Sequence, residues 1–180
     1  MKMAKGLVVA GIAAALLAGC GSNNDNSAAN ANKPAEQTDV TTTASIVNQA
    51  DAFANAVSEK GTWIIAILND LTVDKDVVVA GEFHDKNDAA KDIYRKIALY
   101  TQDEDHNITA SFTLTVPKLT VQSENLRIQG GTVKGDVYVE ANGFNLDKTA
   151  TIDGNLYFAN ADVQASAKID GKVTGATEVK

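Results

Sequence analysis

Cys20 is the residue whose type and position predict the most specific chemistry in this sequence. It is the only cysteine among 180 residues, and it ends the run Leu17-Ala18-Gly19-Cys20. This pattern is the lipobox: leucine fits an apolar pocket of the processing peptidase, and the two small residues let the backbone reach its active site. A cysteine thiolate is a good nucleophile. We therefore predict that Cys20 takes a diacylglyceryl group.

The segment before Cys20 has the organisation of a signal peptide. Lys2 and Lys5 form a short basic region, and Gly6–Leu17 is an apolar and small-residue run of 12. A membrane-spanning helix needs about 20 apolar residues, so the run is too short to span and long enough to direct export. The sequence thus predicts a signal peptide over 1–19 and an exported chain, anchored by its lipid to the outer face of a bacterial membrane. A plain signal peptide with a chance cysteine is the alternative.

The charge of the mature chain excludes some partners. Without Lys2 and Lys5, 14 basic residues face 23 acidic ones, a net charge of −9. An acidic surface argues against nucleic-acid binding and against electrostatic adhesion to an anionic leaflet. We expect the acyl chains alone to hold the protein at the membrane.

Two polar segments could bind a cation, and each has a simpler interpretation. Asp103–Asn107 carries hard oxygen ligands that suit calcium, but it falls between two strand-like runs, where a polar turn is expected. Gly130–Asp136 is similar to a calcium-binding glycine-rich repeat. The repeats described below place Asn155 and Lys172 at the position of Asp136, and a ladder of calcium sites would not tolerate a lysine. We predict no metal site.

No pattern of catalytic residues stands out. His84 and His106 are the only histidines, 22 positions apart, and a zinc site needs three or four ligands. Nucleophile elbows, phosphate loops and dinucleotide fingerprints are absent. The regular C-terminal region has only Arg127 and scattered lysines, not the clustered acids of a polysaccharide-cleaving enzyme. We predict no enzymatic activity and no cofactor.

The elements that follow the lipid are a tether, a helix and a β-rich region. Residues 20–43 are polar and small, and they cannot bury enough surface to fold. Residues 44–60 are predicted to form the one helix, started by Ser45 or Thr43 and closed by Gly61. Its apolar stripe at helical period consists of Ile46, Ala50, Phe53, Ala54 and Val57. At most a turn or two of helix is expected over 88–94.

Residues 61–180 carry strand patterns of period two, ending in an internal repeat. The segment 132–139 (TVKGDVYV) aligns with 151–158 (TIDGNLYF) and with 168–175 (KIDGKVTG), so the central glycines are 135, 154 and 171. Alternation points one set of side chains inward, namely Val133, Val137, Val139, Ile152, Leu156, Phe158, Ile169 and Val173. It points another set outward, namely Asp136, Tyr138, Asn155, Tyr157 and Lys172.

The repeat predicts an all-β fold: a short, single-stranded parallel β-helix, or β-solenoid, in which successive turns stack. The helix at 44–60 is placed to cap its N-terminal end. The run from about Ser123 to Lys180 resembles the bactofilins and related polymer-forming bacterial proteins. That resemblance implies a right-handed β-helix and end-to-end assembly without nucleotide.

Two functions stay open from the sequence. In the first, the protein is a non-enzymatic structural component of the cell envelope that self-associates, and the end near Ile169 and Val173 is the contact. In the second, it is a monomeric binding module that holds an envelope glycan or a partner protein on a lateral face built from Tyr138 and Tyr157. These tyrosines are 19 residues apart, so we expect them to stack on neighbouring turns.

Overall fold

The computed structural model describes residues 45–180, which are mostly β-structure with two short α-helices. The helices are α1 (Ala50–Ala56) and α2 (Ala161–Ser166), and Asp85–Asn87 form a 3-10 turn. The strands are β1 (Ser45–Ile46), β2 (Ile64–Ala66), β3 (Leu71–Thr72), β4 (Val77–Val79), β5 (Arg95–Ala98), β6 (Tyr100–Gln102), β7 (Ile108–Ser111), β8 (Thr113–Val121), β9 (Leu126–Gln129), β10 (Thr132–Val139), β11 (Asn145–Leu146), β12 (Thr151–Asp153), β13 (Leu156–Phe158), β14 (Lys168–Ile169), β15 (Lys172–Val173) and β16 (Thr177–Val179). The predicted signal peptide (1–19), lipidation site Cys20 and tether (20–43) lie outside the described residues.

The strands form two parallel sheets. The six-stranded sheet has the order β1-β2-β5-β9-β11-β14. In the eight-stranded sheet, β15-β12-β10-β13-β16 make one path, and β8 joins β10 to β3 and β4. From β2 to β16 the chain alternates between the sheets. Each single strand of the six-stranded sheet is followed by one or two strands of the eight-stranded sheet. The antiparallel hairpin β6–β7 interrupts one passage between the sheets.

Apolar side chains occupy matching positions on successive strands, and this builds the core. One register in the six-stranded sheet reads Ile65, Ile97, Ile128, Leu146, Ile169. Three registers in the eight-stranded sheet read Leu71, Leu114, Val133, Ile152, Val173, then Val77, Leu119, Val137, Leu156, Thr177, then Val79, Val121, Val139, Phe158, Val179. All of these side chains before the last strands are buried. The irregular strands from Leu71 thus pair in the same registers as the clear repeat.

The predicted alignment of the first two repeats is confirmed, and that of the third is wrong. Strand β10 pairs β12 and β13 with Val133 opposite Ile152. On the next strand Val173, and not Ile169, lies opposite Ile152. Ile169 pairs with Leu146 in the other sheet. The pattern apolar-x-Gly occurs at both 169–171 and 173–175. Because α2 lengthens the connection before them, the spacing of the repeats favoured 169–171, whereas 173–175 is the segment that pairs with the second repeat.

The N-terminal helix is shorter than predicted. Residues 45–46 form a strand that pairs with β2, and the Val47 N–H donates to the carbonyl of Ala66 at 2.9 Å. Ile46 is therefore exposed on a strand and is not part of a buried helical stripe. Gln49 occupies the N-cap position without a side-chain hydrogen bond. The β-branched pair Ile46-Val47 favours extended backbone, and an available parallel neighbour satisfies its backbone groups.

The second helix, α2, was not predicted, and the turn or two expected over 88–94 is absent. The Asn160 side chain accepts a hydrogen bond from the Val163 N–H at 2.9 Å, which caps the first turn of α2. Val163 alone is buried in α2, so no apolar stripe was visible in the sequence. Near 88–94 the chain forms the 3-10 turn of residues 85–87, with Lys86 and Asn87 at positive φ.

Candidate functional site

Exposed large apolar side chains are concentrated on the outermost strands of both sheets. Within residues 45–180 they are Ile46, Val78, Ile169 and Val179. These residues belong to β1, β4, β14 and β16, each of which has a strand neighbour on one side only. An outermost strand presents a row of backbone N–H and C=O groups that can pair with another chain.

The two ends of the strand stack differ in how well the core is covered. On the first strands of the eight-stranded sheet, Leu71 and Val77 are 6% and 4% exposed. On the last strands, Ile169 and Val179 are 37% and 45% exposed, although their registers point into the core. Helix α1 contributes to the difference, because Phe53, Ala56 and Val57 join the core cluster.

The structure brings Ile169 and Val173, both singled out from the sequence, to this same C-terminal end. Ile169 lies on β14, an outermost strand of the six-stranded sheet, and Val173 lies on β15, an outermost strand of the eight-stranded sheet. Val173 is partly buried against the core. The backbone between them is tied to the preceding strands, since the N–H groups of Asp170 and Gly171 both donate to the Leu146 carbonyl. We call the strands β14, β15 and β16 the C-terminal edge.

Charges of both signs flank the apolar residues of the C-terminal edge. Lys168 forms an ion pair with Asp170 at 2.9 Å. Three further charged residues of the same segment are exposed to solvent, namely Lys172, Glu178 and Lys180.

Tyr138 and Tyr157 stack as predicted, but Tyr157 is less accessible than an outward position suggests. They are register neighbours on β10 and β13, with ring centroids 4.7 Å apart and planes tilted by 44°. The ammonium of Lys180 lies 3.6 Å from the Tyr157 ring centroid, and Tyr157 is only 8% exposed. The hydrogen bond between the Lys180 ammonium and Tyr157 raises the pKa of Lys180. The Lys118 ammonium lies 5.6 Å from the Tyr138 ring.

The acidic segment Asp103–Asn107 is the turn of the β6–β7 hairpin. The Asp103 carboxylate accepts hydrogen bonds from the N–H groups of Asp105 and Asn107 at 3.0 and 2.8 Å, and those from Asn107 lower the pKa of Asp103. The carboxylate therefore folds the turn. No group of three or more His, Cys, Asp or Glu side chains within residues 45–180 is arranged to hold a metal ion.

His84 makes local contacts of its own. Its Nδ1 lies 2.6 Å from the Lys91 carbonyl oxygen, and its Nε2 lies 3.4 Å from a Glu82 carboxylate oxygen. The hydrogen bond to Lys91 raises the pKa of His84.

A polar groove that the sequence did not predict lies beside the six-stranded sheet. Its volume is about 740 Å³, and it is lined by Asp85, Asp92, Ile93, Tyr94, Asn125, Arg127, Gly143 and Asn145. The lining residues come from the 3-10 turn, from the residues just before β5 and β9, from β9 and β11 themselves, and from Gly143 between β10 and β11. Parallel pairing of these strands places segments that are far apart in sequence side by side. We call this the Tyr94 groove.

Arg127 and Tyr94 are the fixed groups of the groove. Arg127 forms an ion pair with the Asp147 carboxylate, which also accepts hydrogen bonds from the N–H and hydroxyl of Thr149 at 3.0 and 2.6 Å. Burial lowers the pKa of Arg127, but the hydrogen bond and charge of Asp147, together with Tyr94 and Tyr100, outweigh burial, and the pKa is raised. Burial raises the pKa of Tyr94. Tyr94 also contacts Trp63, with ring centroids 6.0 Å apart.

Arg95 is a second residue that sequence reasoning missed, and it is 1% exposed. Its guanidinium lies 4.1 Å from the Phe83 ring centroid. The guanidinium donates to the backbone carbonyls of Ala56, Ser58, Thr62 and Ala80 and to the Ser123 hydroxyl. Burial lowers its pKa to about 10, so it stays charged at neutral pH. Arg95 therefore ties the end of α1 to the starts and ends of several strands.

The described residues thus define a mostly β protein with two parallel sheets, an open C-terminal edge and a lateral polar groove. Comparison of the chain with protein-family models, with curated proteins and with solved structures gave no match. Among residues 45–180, no helix has the length and hydropathy needed to cross a membrane.

Proposed function

We propose that the two parallel sheets are faces of one short, right-handed, single-stranded β-helix of about five turns. Two observations support this proposal. The chain alternates between the two sheets, and four sets of core positions are each aligned across five successive strands. Right-handed crossovers are the rule for parallel strands joined within one sheet. At about 4.8 Å per strand, five stacked turns make a rod roughly 20–25 Å long.

The function that this geometry supports best is structural: a lipid-anchored envelope protein that self-associates through the C-terminal edge of its β-helix. The observation that carries the proposal is the open core at that end, where Ile169 and Val179 end inward-facing registers and yet remain exposed. Burying these side chains against a partner would gain roughly 25 cal/mol for each Å² of apolar surface. Strand pairing would satisfy the backbone groups at the same time.

A second copy of the chain is the partner that fits this edge. The edge is a row of short parallel strands, and an equivalent row on another copy has matched spacing. Its lysines and acidic residues alternate in sign, as in the pair Lys168–Asp170, so two edges can oppose each other with complementary charges. Lysines on edge strands also disfavour non-specific aggregation, which limits pairing to registers in which these charges are matched.

The test is the assembly state of residues 21–180, purified without signal peptide or lipid and measured by light scattering and negative-stain microscopy. We expect a dimer, formed by two opposed C-terminal edges, whose population rises with protein concentration. Val173→Lys and Val179→Lys should each weaken association at least tenfold, because a lysine ammonium at the contact must lose its hydration.

Val78→Lys is the matched control, since Val78 and Val179 are both 45% exposed on outermost strands at opposite ends. It should leave the association constant within about twofold. A monomer over the whole concentration range would refute self-association of the chain. Equal sensitivity at Val78 and Val179 would refute the assignment of the contact to the C-terminal edge.

Anchoring by Cys20 is tested separately in cells. Cys20→Ser removes the acyl acceptor, so we expect the protein to move from the membrane pellet to the soluble fraction and to lose incorporated fatty acid. Gly21→Ser is the control and should stay in the pellet. Retention of Cys20→Ser in the membrane with no change in labelling would contradict the lipoprotein assignment.

A further inference from the structure

The side chains of the Tyr94 groove restrict the ligands that it can accept. Its volume of about 740 Å³ falls within the range of about 300–1,000 Å³ that is usual for ligand pockets. Ile93 is the only aliphatic side chain among the lining residues, which disfavours acyl chains. The other side chains are carboxylates, amides, a guanidinium and a phenol, and together they can both donate and accept hydrogen bonds.

The charge of the groove disfavours anions. Asp85 and Asp92 bring two carboxylates to the lining of the groove. The one cation, Arg127, is already neutralised by Asp147. A phosphate or carboxylate ligand would therefore meet net negative charge, whereas a neutral or amine-bearing ligand would not.

We propose that the Tyr94 groove binds a saccharide, with a sugar ring packed on the face of Tyr94 and its hydroxyls bound by Asp85, Asp92 and Asn145. A pyranose presents an apolar C–H face and a rim of hydroxyls, and the groove offers an aromatic ring with polar groups around it. Carboxylates accept two hydrogen bonds from neighbouring hydroxyls, and amides both donate and accept.

Several contacts hold the recognition surface in place before any ligand binds. Tyr94 rests against Trp63, and its backbone N–H donates to the Phe83 carbonyl at 2.8 Å. The Asn125 side chain donates to the Ile93 carbonyl at 3.0 Å. A surface fixed in this way loses little conformational entropy on binding.

Trp63 provides the readout, because it is the only tryptophan in the chain and touches Tyr94. The experiment titrates the full chain in mild detergent with three probes: a glucosamine trimer, the N-acetylglucosamine trimer and a galacturonic acid trimer. We expect the fluorescence of Trp63 to change on binding. The order of affinity should be the cationic trimer first, the neutral trimer second and the anionic trimer last, with the difference shrinking as salt is raised.

Variants locate the contact. Tyr94→Ala should weaken binding of the neutral trimer at least tenfold, and Tyr94→Phe, which keeps the ring, by no more than about threefold. Replacing Asp85 and Asp92 together by asparagine should remove the preference for the cationic trimer while retaining binding of the neutral one. Melting temperatures of the variants, compared with the parent chain, separate loss of binding from loss of fold.

The double variant Tyr138→Ala with Tyr157→Ala is the control on the other aromatic face, and it should bind the trimers as the parent does. No binding of any trimer, or tightest binding of the anionic one, would overturn the proposal. Loss of binding in the Tyr138/Tyr157 variant but not in Tyr94→Ala would move the site to the tyrosine stack. Because the C-terminal edge is not part of this groove, the result is independent of the assembly test.

Discussion

Replacing Arg95 by methionine is expected to lower the free energy of unfolding by about 3–5 kcal/mol, measured by urea denaturation. Methionine keeps an unbranched chain of similar length but has no N–H donors. Four buried or partly buried carbonyl groups and the Ser123 hydroxyl would then lose a charged donor. Each hydrogen bond to a charged group is worth about 1.5–3 kcal/mol, and the losses are not additive.

The expected effect depends on geometry as well as charge. Arg95→Lys keeps the cation but cannot reproduce the planar fork of donors, so it should recover only part of the loss. Lys75→Met is the control: Lys75 is 68% exposed and lies 4.0 Å from Asp51, and such a surface pair contributes at most about 1 kcal/mol. If Arg95→Met were as stable as Lys75→Met, the hydrogen bonds of Arg95 would not be holding the first strands and α1 together.

Gly135→Ala is expected to destabilise the fold by at least about 3 kcal/mol, seen as a lower urea midpoint or as failure to accumulate soluble protein. Gly135 has φ 138°, a conformation that side chains with a Cβ rarely adopt. A Cβ at this position would also overlap the carbonyl oxygen of Val116 on β8. The neighbouring backbone cannot easily retreat, because β8 pairs on its other side with β3 and β4.

Lys134→Ala is the control for Gly135→Ala, since Lys134 is adjacent in β10 and exposed. It should change the free energy of unfolding by less than about 0.5 kcal/mol. Equal stability of the two variants would mean that the bulge between β8 and β10 can relax to admit a methyl group. The close backbone contact at Gly135 would then not fix the corner between strands.

The period-two patterns of the sequence correctly predicted most strands and the pairing of the two clearest repeats. Val133 and Val137 alternate with exposed or half-buried neighbours, and that alternation alone predicts which side chains enter the core. The stacking of Tyr138 on Tyr157 followed from the same 19-residue spacing. The polar turn at 103–107 followed from its composition.

The third repeat and the helices depended on contacts that a linear pattern does not contain. Both Gly171 and Gly175 follow an apolar residue by two positions, and only strand pairing selects Gly175, whose N–H donates to the Gly154 carbonyl at 2.9 Å. Ile46 joined a strand because β2 offered backbone partners. Helix α2 rests on one buried side chain and the Asn160 cap, too short a signal for a periodicity argument.

The sequence by itself therefore determined the β-rich class of the described chain, the inward registers of its clearest repeats and a lipidation signal at Cys20 that remains a prediction. Tertiary structure alone decided which outermost strands leave apolar side chains exposed, where Arg95 is buried and which residues form the Tyr94 groove. The physical reason is that alternation is a local property, fixed by the strand backbone. The burial of Arg95 and the groove between residues 85–94 and 125–145 arise only when segments distant in the sequence pair in parallel. The residues next to each of these segments in the sequence do not indicate that pairing.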